Sequence, residues 1–369
     1  MQFPNLDPIP IPAPIWLMKV LSLLTLTLHF FAVQILIGSL VAVIYFSLKS
    51  KGQGASANQV AALAVARRLP IVMTFVINLG VPPLLFAQVL YGRALYTSSV
   101  LIACQWIAVV FLLMGCYWLL YRIADRTGLG KPSHWHALGA LGLAAIVGHI
   151  YATNMTLMLR PEVWQAMYAK TATGFQMPPN DPTSEARVTF ILVGGLLVGG
   201  FWLTLHSRLK TISDEAASVL RSTGSVFAVI GAIAELGVGY WAYSVQPSAV
   251  TDGLHSTFYQ VSIGIWAIGY VLALLVAGLQ VLKKATTALL STIGGLGAFL
   301  GIAGAVIVRD GIRDATLKLK GWDIWLRIEN SNWFVILLFV ILFVAGLVAI
   351  GWLLSVMKAA KPITEKVNS

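Results

Sequence analysis

Nine apolar segments, most of them of 20 or more residues and joined by short polar links, constrain this chain more than any other feature. Each is long enough to cross a bilayer as a helix. In hydrocarbon the backbone must satisfy its own hydrogen bonds, which leaves only helices or a closed barrel. Runs of this length and continuity select the helix. The segments cover 16–48, 70–97, 99–122, 137–158, 188–207, 221–244, 255–282, 286–308 and 333–357. The composition agrees, with 58% hydrophobic and only 11% charged residues. The expected fold is all-α, a polytopic membrane bundle of nine transmembrane helices. No polar link could hold a separate domain, so residues 1–369 read as one integral membrane domain. The first run is too long to be a cleaved signal peptide. Ahead of it Pro4, Pro8, Pro10, Pro12 and Pro14 predict an extended lead-in.

Lys and Arg placement orients the bundle. One set of links holds Lys49, Lys51, Arg67, Arg68, Arg122, Arg126, Lys131, Arg208, Lys210, Arg221, Lys283, Lys284, Lys358, Lys361 and Lys366. Against them stand only Asp125, Asp214, Glu215 and Glu365. This basic side is expected in the cytoplasm, which puts the N-terminus outside and the C-terminus inside. The formal net charge of +11 is then a topology signal. Its charges form no aromatic-interleaved patch, so no nucleic-acid partner is expected.

Function must be sought in polar groups at membrane depth, where each is expensive unless partnered. His29 lies mid-span in the first segment. It reads either as an axial haem ligand or as a histidine bonded to a neighbouring helix. His149, with Asn154 nearby, offers the same two readings on the fourth segment and could pair with His29. His134, His136, His206 and His255 sit at segment ends and read as interfacial. Glu235 is the one carboxylate well inside a span. It is either a proton-handling group or a protonated acid bonded between helices. Asn78 and Gln88 flank Pro82 and Pro83, which remove two backbone donors and predict a kink or an unwound stretch lining a cavity. Arg309, Asp310, Arg313 and Asp314 end the eighth segment. They could hold haem propionates or a quinone head group, or form a solvated charge cluster. Cys104 and Cys116 on one span are roughly 18 Å apart, beyond disulfide reach, and read as core residues. No C-x-x-C-H stretch for covalent haem attachment occurs.

The order of segments resembles subunit I of cytochrome bd-type quinol oxidases, across most of the length. That subunit also has nine spans and an outer N-terminus. His29 falls where the family places its first-span haem ligand. Phe75 to Gly80 and Phe86 to Gly92 are similar to the family's second-span segment that ends in Glu-Phe-Gln-Phe-Gly. Ala152-Thr153-Asn154-Met155, then Arg160-Pro161, resembles its Ala-Asn-Gly-Trp-Met segment and the Asn-Pro that follows. Arg187 to Gly200 is similar to its fifth span. Val308 to Arg313 falls where the family has Glu-Val-Gly-Arg-Gln-Pro-Trp. The departures are as telling. Phe190 stands at the family's fifth-span haem-ligating histidine, and Ser262 at its ligating methionine. Arg309 or Asp310 replaces a ligating glutamate, and Gln88 a proton-path glutamate. The long quinol loop shrinks to Gln246–Leu254. The resemblance therefore implies a divergent relative that keeps the scaffold and is not a functional oxygen reductase.

On that basis the expected function is a membrane subunit of a respiratory or extracellular electron-transfer complex in the bacterial inner membrane. It would exchange electrons between membrane quinone or quinol and a periplasmic partner, a multihaem cytochrome c or an iron–sulfur protein. One haem b is expected at most, with His29 as the iron ligand, His149 opposite, and Arg309 and Arg313 on the cofactor. Glu235 and Gln88 are the expected proton-handling residues. The partner would dock on the two longest outer links, 160–187 and 309–332, which carry Trp164, Tyr168, Phe175, Trp322 and Trp325. A haem-free anchor or docking subunit, and a proton or solute transporter, are the alternatives. The transporter lacks support from any internal repeat.

Overall fold

A computed structural model describes residues 9–50, 56–282 and 286–359, with side chains up to 356. Pro4, Pro8, Lys51, Lys283, Lys284, Lys361, Glu365 and Lys366 lie outside the described residues. The elements are α1 (Ile15–Lys49), α2 (Ala57–Ala66), α3 (Leu69–Leu101), α4 (Ala103–Gly128), α5 (His134–Leu157), α6 (Pro161–Lys170), α7 (Pro182–His206), α8 (Asp214–Ser244), α9 (Ser248–Asp252), α10 (Thr257–Leu282), α11 (Ala288–Leu319) and α12 (Trp333–Ala359). Among the described residues nine helical spans are long and apolar enough to cross a membrane, and α2 and α3 together make one of them. The chain is a multi-pass membrane bundle, as its apolar runs predict.

Association of helices in lipid relies on close van der Waals packing, because the tails are as apolar as the side chains. Here α7 supplies that packing. It carries Gly194, Gly195, Gly199 and Gly200, and its contacts with α8 are the most extensive in the molecule. A Cβ on Gly199 would lie 2.5 Å from Gly38 Cα of α1, and one on Gly200 2.5 Å from the Gly224 carbonyl of α8. Backbone touches backbone on both sides of α7, so α1, α7 and α8 form the tightest part of the bundle. The peripheral α12 differs: most of its side chains are exposed, and an aromatic contact from Phe339 to Phe86 helps to seat it.

Several spans outrun their apolar cores, and local chemistry explains each extension. α7 starts at Pro182 instead of 188 because Asp181 caps it, accepting from Thr183 N at 2.9 Å, and proline suits the first turn. α8 starts at Asp214 instead of 221 behind the Ser213 cap, with Asp214 and Glu215 in its first turn. α11 runs to Leu319 instead of 308, straight through the charged stretch that resembled an end. The prolines are a further correction. α3 passes through Pro82 and Pro83 without leaving helical geometry, and its non-helical residue is Tyr91 (φ −126°, ψ 27°).

The start of α1 is tied to the far end of the chain. Ile11 N donates to Ile328 O at 2.8 Å, and Asn330 N donates back to Ile11 O at 2.8 Å. Arg327 donates to Ile9 O, Val89 O and Leu90 O. Lys320 joins the two long links, reaching Leu159 O at 2.7 Å and Glu162 at 2.8 Å. The end of the bundle at which α1 starts, here the N-terminal face, is therefore a single packed cap.

Candidate functional site

Just beneath that cap, α1, α3 and α11 meet through buried charge. Lys19 Nζ donates to Asp310 Oδ2 (2.8 Å), to Asp314 Oδ2 (2.6 Å) and to Tyr91 Oη (2.6 Å). Tyr91 in turn donates to Asp314 Oδ1 at 3.0 Å. The departure of Tyr91 from helical geometry thus occurs where its hydroxyl joins the network. Arg313 completes it, 3.7 Å from Asp310 and with its guanidinium 4.7 Å from the Tyr91 ring centre. Lys19 and Arg313 balance Asp310 and Asp314, so α11 carries both carboxylates without stranding either. Arg187 and Arg309 stay outside this balance. Arg187 donates to Thr156 Oγ1 at 3.1 Å, and Arg309 makes no hydrogen bond or ion pair among the described residues.

Both spare arginines line two cavities at once. The first, the His29 cavity, has a volume of about 340 Å³ and lies among α1, α3, α5, α7 and α11. His29, Arg187, Arg309 and Arg313 supply much of its polar lining, and its walls include Phe30, Met73, Leu84, Tyr151, Met155 and Ile191. His29 Nδ1 lies 3.0 Å from Val76 O. A carbonyl can only accept, so Nδ1 carries the proton and Nε2 keeps its lone pair, which no described residue engages. This is the tautomer that metal-ligating histidines adopt, fixed by a backbone acceptor. Gly80 completes the seat, because a Cβ there would meet the imidazole Cε1 at 2.8 Å.

The second, the Trp266 cavity, has a volume of about 390 Å³ and lies among α1, α7, α8, α10 and α11. Phe30, Phe190, Ile191, Trp266 and Ile302 make it apolar, while Gln34, Tyr243, Gln246 and Gln260 add hydrogen-bonding groups. Glu235 lies just deeper. It is fully buried with the Tyr270 hydroxyl in reach, but among the described residues neither Glu235 oxygen nor Tyr270 Oη completes a hydrogen bond of good geometry.

The donor set of one cavity suits a haem group, and that of the other does not. The His29 cavity offers a histidine with a free Nε2, apolar walls and two spare positive charges, which suit a macrocycle carrying two carboxylates. The Trp266 cavity has no His, Met or Cys in its lining. Phe190 faces it, and Ser262 is buried with its hydroxyl bonded to Phe258 O of its own helix. Among the described residues no three His, Cys, Asp or Glu side chains converge on a point that would hold a bare metal ion.

The sequence-predicted residues separate cleanly. His29, Arg309 and Arg313 share a cavity, and α3 lines it through Met73, Val76, Gly80 and Pro83. His149 is not brought there. α5 neighbours α1 as expected, but Gly148, Tyr151 and Ala152 form the wall, and the roughly 100° step per residue of a helix turns His149 aside. Gln88 is turned away likewise, next to the lining residue Ala87. Asn78 bonds back to Thr74 O, and Asn154 bonds across to Ser99. His134 pairs with Ser47, and His136 keeps an unpartnered Nδ1. His206 is buried against Trp202 and Ala64 O, not interfacial, whereas His255 is exposed. Cys116 is buried, but Cys104 is exposed. Of the link aromatics, Trp164 and Trp322 are buried in the cap, while Tyr168, Phe175 and Trp325 are exposed. Sequence reasoning missed Lys19, Gln34, Tyr91, Arg187 and Tyr270. Lys19 had a signal, a lysine four residues into an apolar run.

No family model matches the sequence, and no curated protein does so. Among solved structures, a chain of the bd oxidase from Geobacillus thermodenitrificans superposes with a TM-score of 0.72. The match covers 96% of this chain and 100% of that chain, at 14% sequence identity. At that identity the likeness shows the fold, and the bundle is bd-oxidase-like.

Proposed function

We propose that this chain is a divergent relative of bd oxidase subunit I that serves as the membrane subunit of a respiratory electron-transfer complex. It exchanges electrons between membrane quinone and a redox protein docked on its N-terminal face. The observation that carries this reading is the pair of cavities sharing Arg187 and Arg309, one built around His29 and the other apolar with polar groups at its rim. Ligand sites of this size and character are the default place to look for function, and the bd oxidase neighbour has a redox activity in its name.

In the first cavity His29 would hold haem iron through Nε2, with Arg309, Arg313 and Arg187 facing the propionates. Bound there, the group supplies one-electron chemistry. Val76 fixes the imidazole tautomer, Gly80 leaves room for the ring, and the apolar walls keep water out. In the second cavity the walls take an isoprenoid quinone, and Gln34, Tyr243 or Gln260 bonds its oxygens. Tyr168, Phe175 and Trp325 give the partner, a cytochrome c or an iron–sulfur protein, an aromatic landing surface. The N-terminal face is then the outer side of a bacterial inner membrane, opposite the basic links.

A visible spectrum of the purified chain from haem-sufficient cells tests the reading. A Soret band is expected. His29→Ala should abolish it while the protein still inserts and purifies as a single species. A wild-type preparation without haem, or an unchanged band in the variant, removes the redox reading of the His29 cavity.

A further inference from the structure

The Glu235 cluster lies in a defined relation to the Trp266 cavity. On four helices, a cavity-lining residue sits one turn from a cluster residue, always toward the N-terminal face. Phe30 precedes Gln34 on α1, Phe190 precedes Gly194 on α7, Gly239 follows Glu235 on α8, and Trp266 precedes Tyr270 on α10. The cluster therefore forms the floor of the cavity, roughly one helical turn deeper. Gln34 belongs to both levels, since it lines the cavity and its amide shares with the Glu235 carboxyl the space that a Cβ at Gly194 would fill. That position is glycine because both side chains occupy its flank.

The floor is made of unsatisfied oxygens. Gln34 Oε1, both Glu235 carboxyl oxygens and Tyr270 Oη are buried, and among the described residues none completes a hydrogen bond of good geometry. Unpaired buried polar groups are rare in native proteins and need a reason. Packing of α7 on α8 does not require them, because Gly231 against Leu197 and Gly200 against Gly224 already bring the two helices into backbone contact. Among the described residues no cation pairs with Glu235. α10 presents Tyr270, α1 presents Gln34 and α7 presents Gly194, and the nearest charges lining the cavity are Arg187 and Arg309.

We infer that Glu235, held between Gln34 and Tyr270, is the proton acceptor for a quinol bound in the Trp266 cavity. This rests on the reading of that cavity as a quinone site. Quinol oxidation releases two electrons and two protons. The electrons leave to the one-electron centre of the redox partner. Glu235 starts the step as a carboxylate, with the Tyr270 hydroxyl and the Gln34 amide as its donors; one quinol O–H bond breaks as a carboxyl O–H bond forms on it, by way of water bridging past the Gln34 amide. The second proton passes to solvent at the cavity rim. Gln34 is a positioning residue, and Tyr270 stabilises the carboxylate that accepts the proton.

The test uses the purified chain, a water-soluble short-chain quinone and an electrode that supplies or removes the electrons. Quinone should quench tryptophan fluorescence, and Trp266→Phe should remove the quenched component. Absence of such quenching overturns the quinone-site reading itself. With binding established, the quinol-minus-quinone infrared spectrum should contain a carboxylic-acid C=O band that shifts on deuterium exchange. The band should vanish in Glu235→Gln while quenching is retained. A band that persists in that variant, or is missing from the wild type, overturns the role of Glu235 and leaves the cavity reading intact. Should Glu235→Gln fail to fold, Glu235→Asp decides, with a band of altered frequency expected and an unaltered one refuting the assignment.

Discussion

Two polar clusters are buried in the same bundle, and they are built in opposite ways. Around Lys19 two cations face two carboxylates at hydrogen-bonding distance, and a tyrosine leaves helical geometry to join them. Around Glu235 four oxygens converge with no paired cation and no completed bond among the described residues. An orphaned buried polar group costs about 1–3 kcal/mol, so the second arrangement is kept against stability. The first has a structural explanation, because it lets α11 carry charge through the membrane and fastens it to α1 and α3. The second agrees with the proposed role of Glu235, a group that changes its protonation during function.

The sharpest way to break this contrast is Lys19→Met. It leaves two adjacent carboxylates below the cap with Arg313 as their one remaining cation, and removing one partner of a buried ion pair typically costs about 3–5 kcal/mol. Thermal unfolding in detergent should show a large fall in Tm, and adding Asp314→Asn should restore part of it by removing one stranded charge. A single variant that melts like the wild type would mean that the paired cluster does not hold the three helices together.

Arg309→Met should have a smaller structural effect, because Arg309 forms no ion pair to break. A stability change below about 1 kcal/mol is expected, together with reduced haem retention after purification. Equal losses of stability for Lys19→Met and Arg309→Met would erase the distinction between paired and spare charge.

The sequence conveyed these features unevenly, for identifiable reasons. Span centres were legible because bilayer thickness sets a length that apolar runs must meet. The end of α11 was not, because Arg309 to Asp314 resembles a helix terminus until Lys19, 291 residues from Asp310, is known to face it. His29 and Glu235 stood out as polar residues in apolar runs. Their surroundings did not. One helical step decides whether Gly148 or His149 faces the cavity, and that rotation depends on how α5 packs on α4 and α1. Gln34 and Tyr270 look like ordinary bundle residues until α7, with glycine at 194, lets Gln34 and Glu235 come together.

The smallest expected effect is the stability change in Glu235→Gln. The amide is nearly isosteric with the acid, so packing against Gly194 and Tyr270 is preserved. It removes a group that is difficult to keep charged at that depth, and its NH₂ can donate to an oxygen that now lacks a partner. The change in stability should stay within about 1 kcal/mol. Asp310→Asn is the control, since it breaks a formed pair with Lys19 and should lower Tm clearly more. Thermal unfolding of both variants under one detergent condition makes the comparison direct. A fall for Glu235→Gln as large as that for Asp310→Asn would show that the Glu235 cluster, too, is a structural tie.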